Sequence, residues 1–218
     1  MTAAVGEAAG MEALKRALVA HYERQLERHG PSAAGMDWKD EASQRLRFRV
    51  LALICDLRGR SVAEVGCGAG HLVDHLQEHS IAAEYCGFDL SPRMIEAARS
   101  RHPGVRFECV DLLRCEEPEN FDVVLCSGLF HVKPDPAASA WEEFVRAMLR
   151  RMWSMCRVGI GFNLMSDQVD YRVPGLHYTD PGATLRFCQE EFSRFAVVRH
   201  DYPLYEYTTH VYRDAPAG

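Results

Sequence analysis

A chain of 218 residues, 47% hydrophobic and 10% aromatic, carries enough apolar material for one α/β domain with a modest elaboration. Its 25 Lys and Arg against 31 Asp and Glu leave a net charge of −6. The densest basic stretch, Arg45 to Arg60, is interleaved with apolar residues, which argues against a nucleic-acid partner. The 8 cysteines are scattered with no C-x-x-C pair, and the N-terminus has no basic segment leading into an apolar one. The longest apolar run, Val50 to Cys55, is too short to span a bilayer. A soluble, cytoplasmic protein with reduced, buried thiols is expected.

Residues 1–10 are small and weakly patterned, so fraying is expected there. Met11 to His29 reads as an amphipathic helix, with Leu14, Leu18, Tyr22 and Leu26 at four-residue spacing and a stop at Gly30-Pro31. A loop over residues 32–38 leads to a second helix, Asp40 to Leu57. From Ser61 strands alternate with helices. Ser61–Gly66 reads as a strand, His71–His79 as a helix and Glu84–Phe88 as a strand. Pro92–Arg101 is a helix, with Ser91 as its N-cap and Pro92 in its first position. Val105–Val110 and Phe121–Ser127 are strands, Ala138–Cys156 a long helix and Val158–Leu164 a strand. An aromatic loop, Met165–Tyr178, precedes a helix from Asp180-Pro181 to Phe192. Phe195–His200 and Glu206–Arg213 are strands with no helix between them, so they pair antiparallel. The alternation predicts a seven-stranded, mainly parallel α/β sheet with an antiparallel last strand and helices on both faces. Residues 1–58 read as an N-terminal helical cap, and residues 59–218 as the catalytic domain with a lid loop at 165–178.

The chemistry is concentrated in Val62 to Gly70, where a strand enters a glycine-rich turn and a helix follows. Gly66 permits the tight turn; Gly68 and Gly70 let a ligand approach bare backbone near a helix N-terminus. A dinucleotide fingerprint from Gly66 needs its third glycine at position 71, which is His71; the third glycine is Gly70, with Glu64 two residues before the first. No G-K-[ST] ending makes it a phosphate loop. Asp89 ends the second strand, where an acidic side chain can accept both hydroxyls of a ribose. Asp111-Leu112 ends the third strand, and Phe121 to Ser127 forms the fourth.

The E-x-G-x-G-x-G arrangement with these three strand ends resembles the class I S-adenosylmethionine-dependent methyltransferases, in particular a small bacterial type. The resemblance implies a Rossmann-like fold and S-adenosylmethionine as cofactor. It implies that Glu64, Gly66, Cys67, Gly68 and Gly70 hold the cofactor, together with Asp89, Leu90 and Met94 on the next strand and helix. It further implies that Asp111 and Leu112 contact adenine, and that Ser127 faces the methyl donor.

The expected reaction is methyl transfer to oxygen or nitrogen of a small polar molecule by in-line displacement. The stretch after the fourth strand, Ser127-Gly128-Leu129-Phe130-His131, is neither a [DN]-P-P-[YF] motif nor a set of acidic metal ligands, and no metal is expected. His131 is the candidate general base, with Tyr171 and Tyr178 as further catalytic candidates. Arg172 can hold a carboxylate or phosphate; His177 shares its loop. Tyr22, Trp38, Gln44 and Arg47 are placed above the cofactor, and Phe130 beside it. His71, His75 and His79 have metal-site spacing, but the reading puts His71 in the cofactor loop and the other two at the surface. The partner is a small molecule, with no membrane or nucleic acid; the oligomeric state stays open, a homodimer being one option. Two alternatives are kept: cyclisation of the cofactor to azetidine-2-carboxylate and methylthioadenosine, and a non-catalytic cofactor-binding subunit.

Overall fold

The computed structural model describes residues 2–133 and 140–216. Its first half comprises α1 (Thr2–His29), α2 (Glu41–Leu51), β1 (Ser61–Val65), α3 (His71–Glu78), β2 (Glu84–Asp89), α4 (Pro92–Arg101), β3 (Arg106–Cys109) and β4 (Phe121–Cys126). The second half comprises α5 (Ala140–Met155), β5 (Cys156–Ser166), β6 (Tyr178–Thr179), α6 (Pro181–Glu191), β7 (Ala196–Arg199) and β8 (Glu206–Tyr212).

The strands form one sheet in the order β3-β2-β1-β4-β5-β8-β7, with β6 beside β5. β1 to β5 run parallel, and β8 lies antiparallel between β5 and β7. The expected Rossmann-like α/β sheet is present. The strand beyond the expected seven is the two-residue β6, which pairs with Met165 and Ser166. Strand order reverses between β1 and β4, the place where open α/β sheets leave a crevice beyond the strand ends.

Alternation along β4 sorts the two cores. Val123 and Leu125 join Phe48 and Leu51 of α2 and Leu72 and Leu76 of α3. Val124 and Cys126 join Trp141, Phe144 and Met148 of α5, with Leu14 and Leu18 of α1. The N-terminal helices therefore complete both faces of the sheet.

Two boundaries of the N-terminal helices depart from expectation, and β5 runs two residues further at each end than expected. Residues 2–10 continue α1 rather than fraying; their alanines favour helix strongly enough to extend a segment already packed further along. α2 ends at Leu51 and tightens into a short turn, Ala52–Ile54. Asp40 caps α2 by accepting from the Ser43 backbone N–H at 2.7 Å, and Ser91 caps α4 by accepting from Met94 at 3.2 Å. The expected helix start at residues 138–139 lies outside the described residues. No helix among the described residues is long and apolar enough to cross a membrane.

Candidate active site

A cavity enclosing about 930 Å³ of empty space, mouth included, opens at the C-terminal ends of β1, β2 and β4. Its floor is the glycine loop. Gly66, Gly68 and Gly70 have φ of 73°, 51° and 80°, left-handed values that a side chain would strain. Glu64, Gly66, Cys67 and Gly68 line the floor, while Gly70 sits behind it as the N-cap of α3. Glu64 is 2% exposed and accepts a hydrogen bond from the Tyr85 hydroxyl at 2.5 Å. Burial pushes its carboxyl up to about 8.

Asp89 lies at the end of β2. One carboxylate oxygen accepts from the Gly68 N–H at 3.0 Å and the other from the Ser91 N–H at 2.8 Å. Each oxygen keeps a lone pair for a ligand hydroxyl. Burial raises its pKa against the pull of these N–H groups. Leu90, Met94, Leu112 and Ser127 also line the cavity, and the Ser127 hydroxyl is buried without a partner among the described residues. Asp111 is turned outward into a neighbouring groove, where Lys15 of α1 donates to its carboxylate at 2.5 Å.

The roof is built by α1, the segment after it and α2. Leu18, Val19 and Tyr22 reach down from α1; Met36 and Trp38 come from the connecting segment; Gln44 and Phe48 from α2. Asp37, held at φ 58°, accepts from His21 and Gln25 and so ties the connecting segment to α1. A Cβ on Gly128 would overlap the Trp38 ring, and one on Gly68 would come within 2.7 Å of the Met36 sulfur. The roof thus rests directly on backbone. Burial, and after it the Asp37 and Asp89 charges, raise the Tyr22 phenol far above its ordinary value.

The remaining candidates lie elsewhere. His131 is 5% exposed and absent from the cavity wall; the Trp38 ring packs edge-on against it at 5.6 Å. Burial pushes its imidazole down to about 3, and its Nε2 sits 3.7 Å from Glu206 Oε2. Arg47 stacks 4.1 Å from the Trp38 ring centre and donates to Glu206 at 2.8 Å. Phe130 is core, packed on Phe144 and Phe162. The loop of residues 167–177 folds onto itself and onto the chain after β4. Tyr171, 67% exposed, packs on Tyr205; Arg172 lies over Tyr178; His177 packs on Trp141. None of these residues lines the cavity. His75 is also not at the surface: it is 3% exposed and stacks on His79 at 4.2 Å, because the α3 face that carries it packs under Phe48.

Sequence reasoning missed Lys15 and Met36; His71, expected in the cofactor loop, does line the cavity. The four-residue spacing of Leu14, Leu18 and Tyr22 was the available signal that α1 presents one face inward.

Residues 62–151 match the family model described as a methyltransferase domain. The protein Rv1506c of Mycobacterium tuberculosis (strain ATCC 25618 / H37Rv), which carries a methyltransferase name, is 30% identical over 68% of this chain and 90% of its own length. The ubiquinone biosynthesis O-methyltransferase of Neisseria meningitidis serogroup C (strain 053442) is 37% identical over 38% of this chain, which spans only 37% of that enzyme. Among solved structures, the N-methyltransferase NodS of Bradyrhizobium japonicum WM9 with S-adenosyl-L-homocysteine shares the fold, with a TM-score of 0.62 at 16% identity over 89% of this chain and 97% of that one. These findings give no support to cofactor cyclisation or to a non-catalytic role. With the glycine loop, the acidic strand end and this kinship together, the chain belongs to the class I S-adenosylmethionine-dependent methyltransferases.

Proposed function

We propose that this methyltransferase acts on oxygen or nitrogen of a small acceptor with a largely apolar body. The carrying observation is the cavity wall beyond the glycine loop. Tyr22, Trp38, Phe48 and Leu129 line it, with Gln44 as a neutral polar group. Among the described residues no Lys or Arg lines it, so an anionic acceptor would be buried unpaired at a cost of several kcal/mol. This narrows the expected polar molecule to one with a single polar, nucleophilic end. The relatives include both an O- and an N-methyltransferase, which supports either atom.

The wall fits the methyl donor: a bare-backbone loop, a buried carboxylate with free lone pairs and an unpartnered Ser127 hydroxyl. In this reading Asp89 holds the ribose hydroxyls, Leu90 and Leu112 sandwich the adenine, and Glu64 faces the donor's positive end. When bound, S-adenosylmethionine supplies an electrophilic methyl group. The chain supplies position and dryness: Trp38 and Met36 cover the loop, and Tyr22 closes the side, holding nucleophile and methyl in line with water excluded.

Incubation with methyl-labelled S-adenosylmethionine and a panel of small phenols, amines and carboxylates tests the reading. Label should move to phenols or amines, with S-adenosylhomocysteine as co-product. Transfer confined to carboxylates would overturn the acceptor class.

A further inference from the structure

A second hollow opens between α2, α3 and residues 31–33, and it meets the donor cavity at three shared residues, Gln44, Phe48 and His71. We infer that the acceptor spans this junction, its apolar body against the donor-cavity wall and its proton-bearing end in the mouth of the α2–α3 cleft, and that the His71 imidazole there takes that proton. The inference deepens the acceptor reading above and rests on it.

His71 is the first residue of α3. Its ring lines both hollows. A neutral imidazole carries one N–H and one nitrogen with a free lone pair. Burial pushes the imidazole down to about 4, so the ring is neutral near pH 7 and free to accept. His131, the candidate from sequence, is separated from the cavity by Trp38; His71 faces both hollows.

The cleft's charges define what it can take. Arg45 is paired with Glu78 at 3.1 Å, and Arg101 with Asp74 at 2.5 Å and the Ala69 carbonyl at 2.7 Å. Both guanidiniums are thereby engaged, while Glu41 adds a further negative charge to the wall. Anions are disfavoured. His75 supplies a second, independent pointer. It lines the cleft, is 3% exposed, and its Nδ1 has no partner among the described residues. A buried polar atom left so costs free energy that a ligand hydroxyl or amine would recover. The acceptor is therefore an uncharged, proton-bearing nucleophile, a phenol, alcohol or neutral amine.

The step balances. The acceptor's O–H or N–H bond breaks as its oxygen or nitrogen bonds to the methyl carbon. The pair of the carbon–sulfur bond stays on sulfur, and the proton passes to the free nitrogen of His71. Positive charge thus moves from sulfonium to imidazolium, on which Arg101 and Asp74 pull in opposite directions, and the open cleft returns the proton to water.

Phenol and benzoate titrated into the S-adenosylhomocysteine-saturated full chain provide the test, read by imidazole nitrogen NMR with His71→Gln assigning the signal. Phenol should move the unprotonated nitrogen of His71 saturably, with His75 responding and His131 still. Benzoate should bind at least roughly tenfold more weakly. Saturation without movement of His71, shifts gathered on residues 167–177, equal benzoate affinity, or no saturable shift up to phenol's solubility would each overturn the inference. Bound S-adenosylhomocysteine with a silent His71 would leave methyl-donor binding intact; failure to bind it would remove both.

Discussion

Asp89 both shapes the glycine loop and faces the cavity, because its two oxygens already accept from Gly68 and Ser91 while their remaining lone pairs point to a ligand. Asp89→Ala should weaken S-adenosylhomocysteine binding by about 1.5–3 kcal/mol, roughly tenfold to a hundredfold. Calorimetry on the folded variant checks this; unchanged affinity would show that the carboxylate does not meet the ribose. Glu64 makes a different prediction. Burial holds its carboxyl up to about 8, so the free protein keeps this proton at pH 7. A sulfonium and an ammonium nearby favour the ionised form. Binding of S-adenosylmethionine at pH 7 should therefore release up to about one proton, and the neutral-sulfur product should release fewer. Calorimetry in two buffers of different ionisation enthalpy reads the number directly. Equal release with both ligands would mean that the sulfonium's charge does not reach Glu64.

The helix α1 is the element on which access depends. It crosses the strand ends and is fastened at three places: Lys15 to Asp111, Glu23 to the Ser91 hydroxyl at 2.7 Å, and His21 and Gln25 to Asp37. Lys15 is 6% exposed, so its ion pair is less screened than a surface one. Lys15→Met keeps the apolar stem and removes that fastening. It should speed hydrogen exchange along α1 and hasten release of S-adenosylhomocysteine, with a loss of about 1–2 kcal/mol. Unaltered protection of α1 would show that the helix is held by Leu14 and Leu18 alone. Much of the site's floor was legible because glycine spacing and capping are local: Gly66, Gly68, Ser91 and the Asp180 cap of α6 follow from a few adjacent residues. The roof was partly legible, since Tyr22, Trp38 and Gln44 do line the cavity. Lys15–Asp111 joins residues far apart in the chain, and no local pattern announces it. The loop at 167–177 misled for a related reason. Aromatic and charged residues on a long insert read alike whether they face a ligand or, as with Tyr171 on Tyr205 and Arg172 over Tyr178, one another.

The molecule as a whole stores its pH response in buried groups of opposite kind. His71, His75, His102, His131, His177 and His210 are all lowered by burial, four of them to about 3 or 4. Glu64, Asp89 and Glu206 are all raised by it. An unfolded histidine titrates near 6.5. As pH falls below that value the unfolded chain takes up protons that the folded one refuses, and stability is lost, for His71, His75, His131 and His210 down to about 3 or 4. The carboxylates act the other way. Between its ordinary range and about 8, the folded Glu64 holds a proton that the unfolded one has released, so stability declines as pH rises, and Asp89 and Glu206 act in the same direction. From pH 4.5 to 6.5 the two groups oppose each other, and six histidines outweigh three carboxylates. Each uncompensated proton changes stability by about 1.4 kcal/mol per pH unit. Thermal melting should therefore show a steep gain from pH 5 to 6.5, a maximum near neutrality and a shallower fall toward pH 8.5. Glu64→Gln removes the carboxylate that burial holds up to about 8 while leaving a group that can accept from Tyr85, and it should flatten the alkaline fall while leaving the acid limb in place. A melting temperature that stays level between pH 5 and 6.5 would show that the histidines admit water and titrate as readily in the fold as outside it.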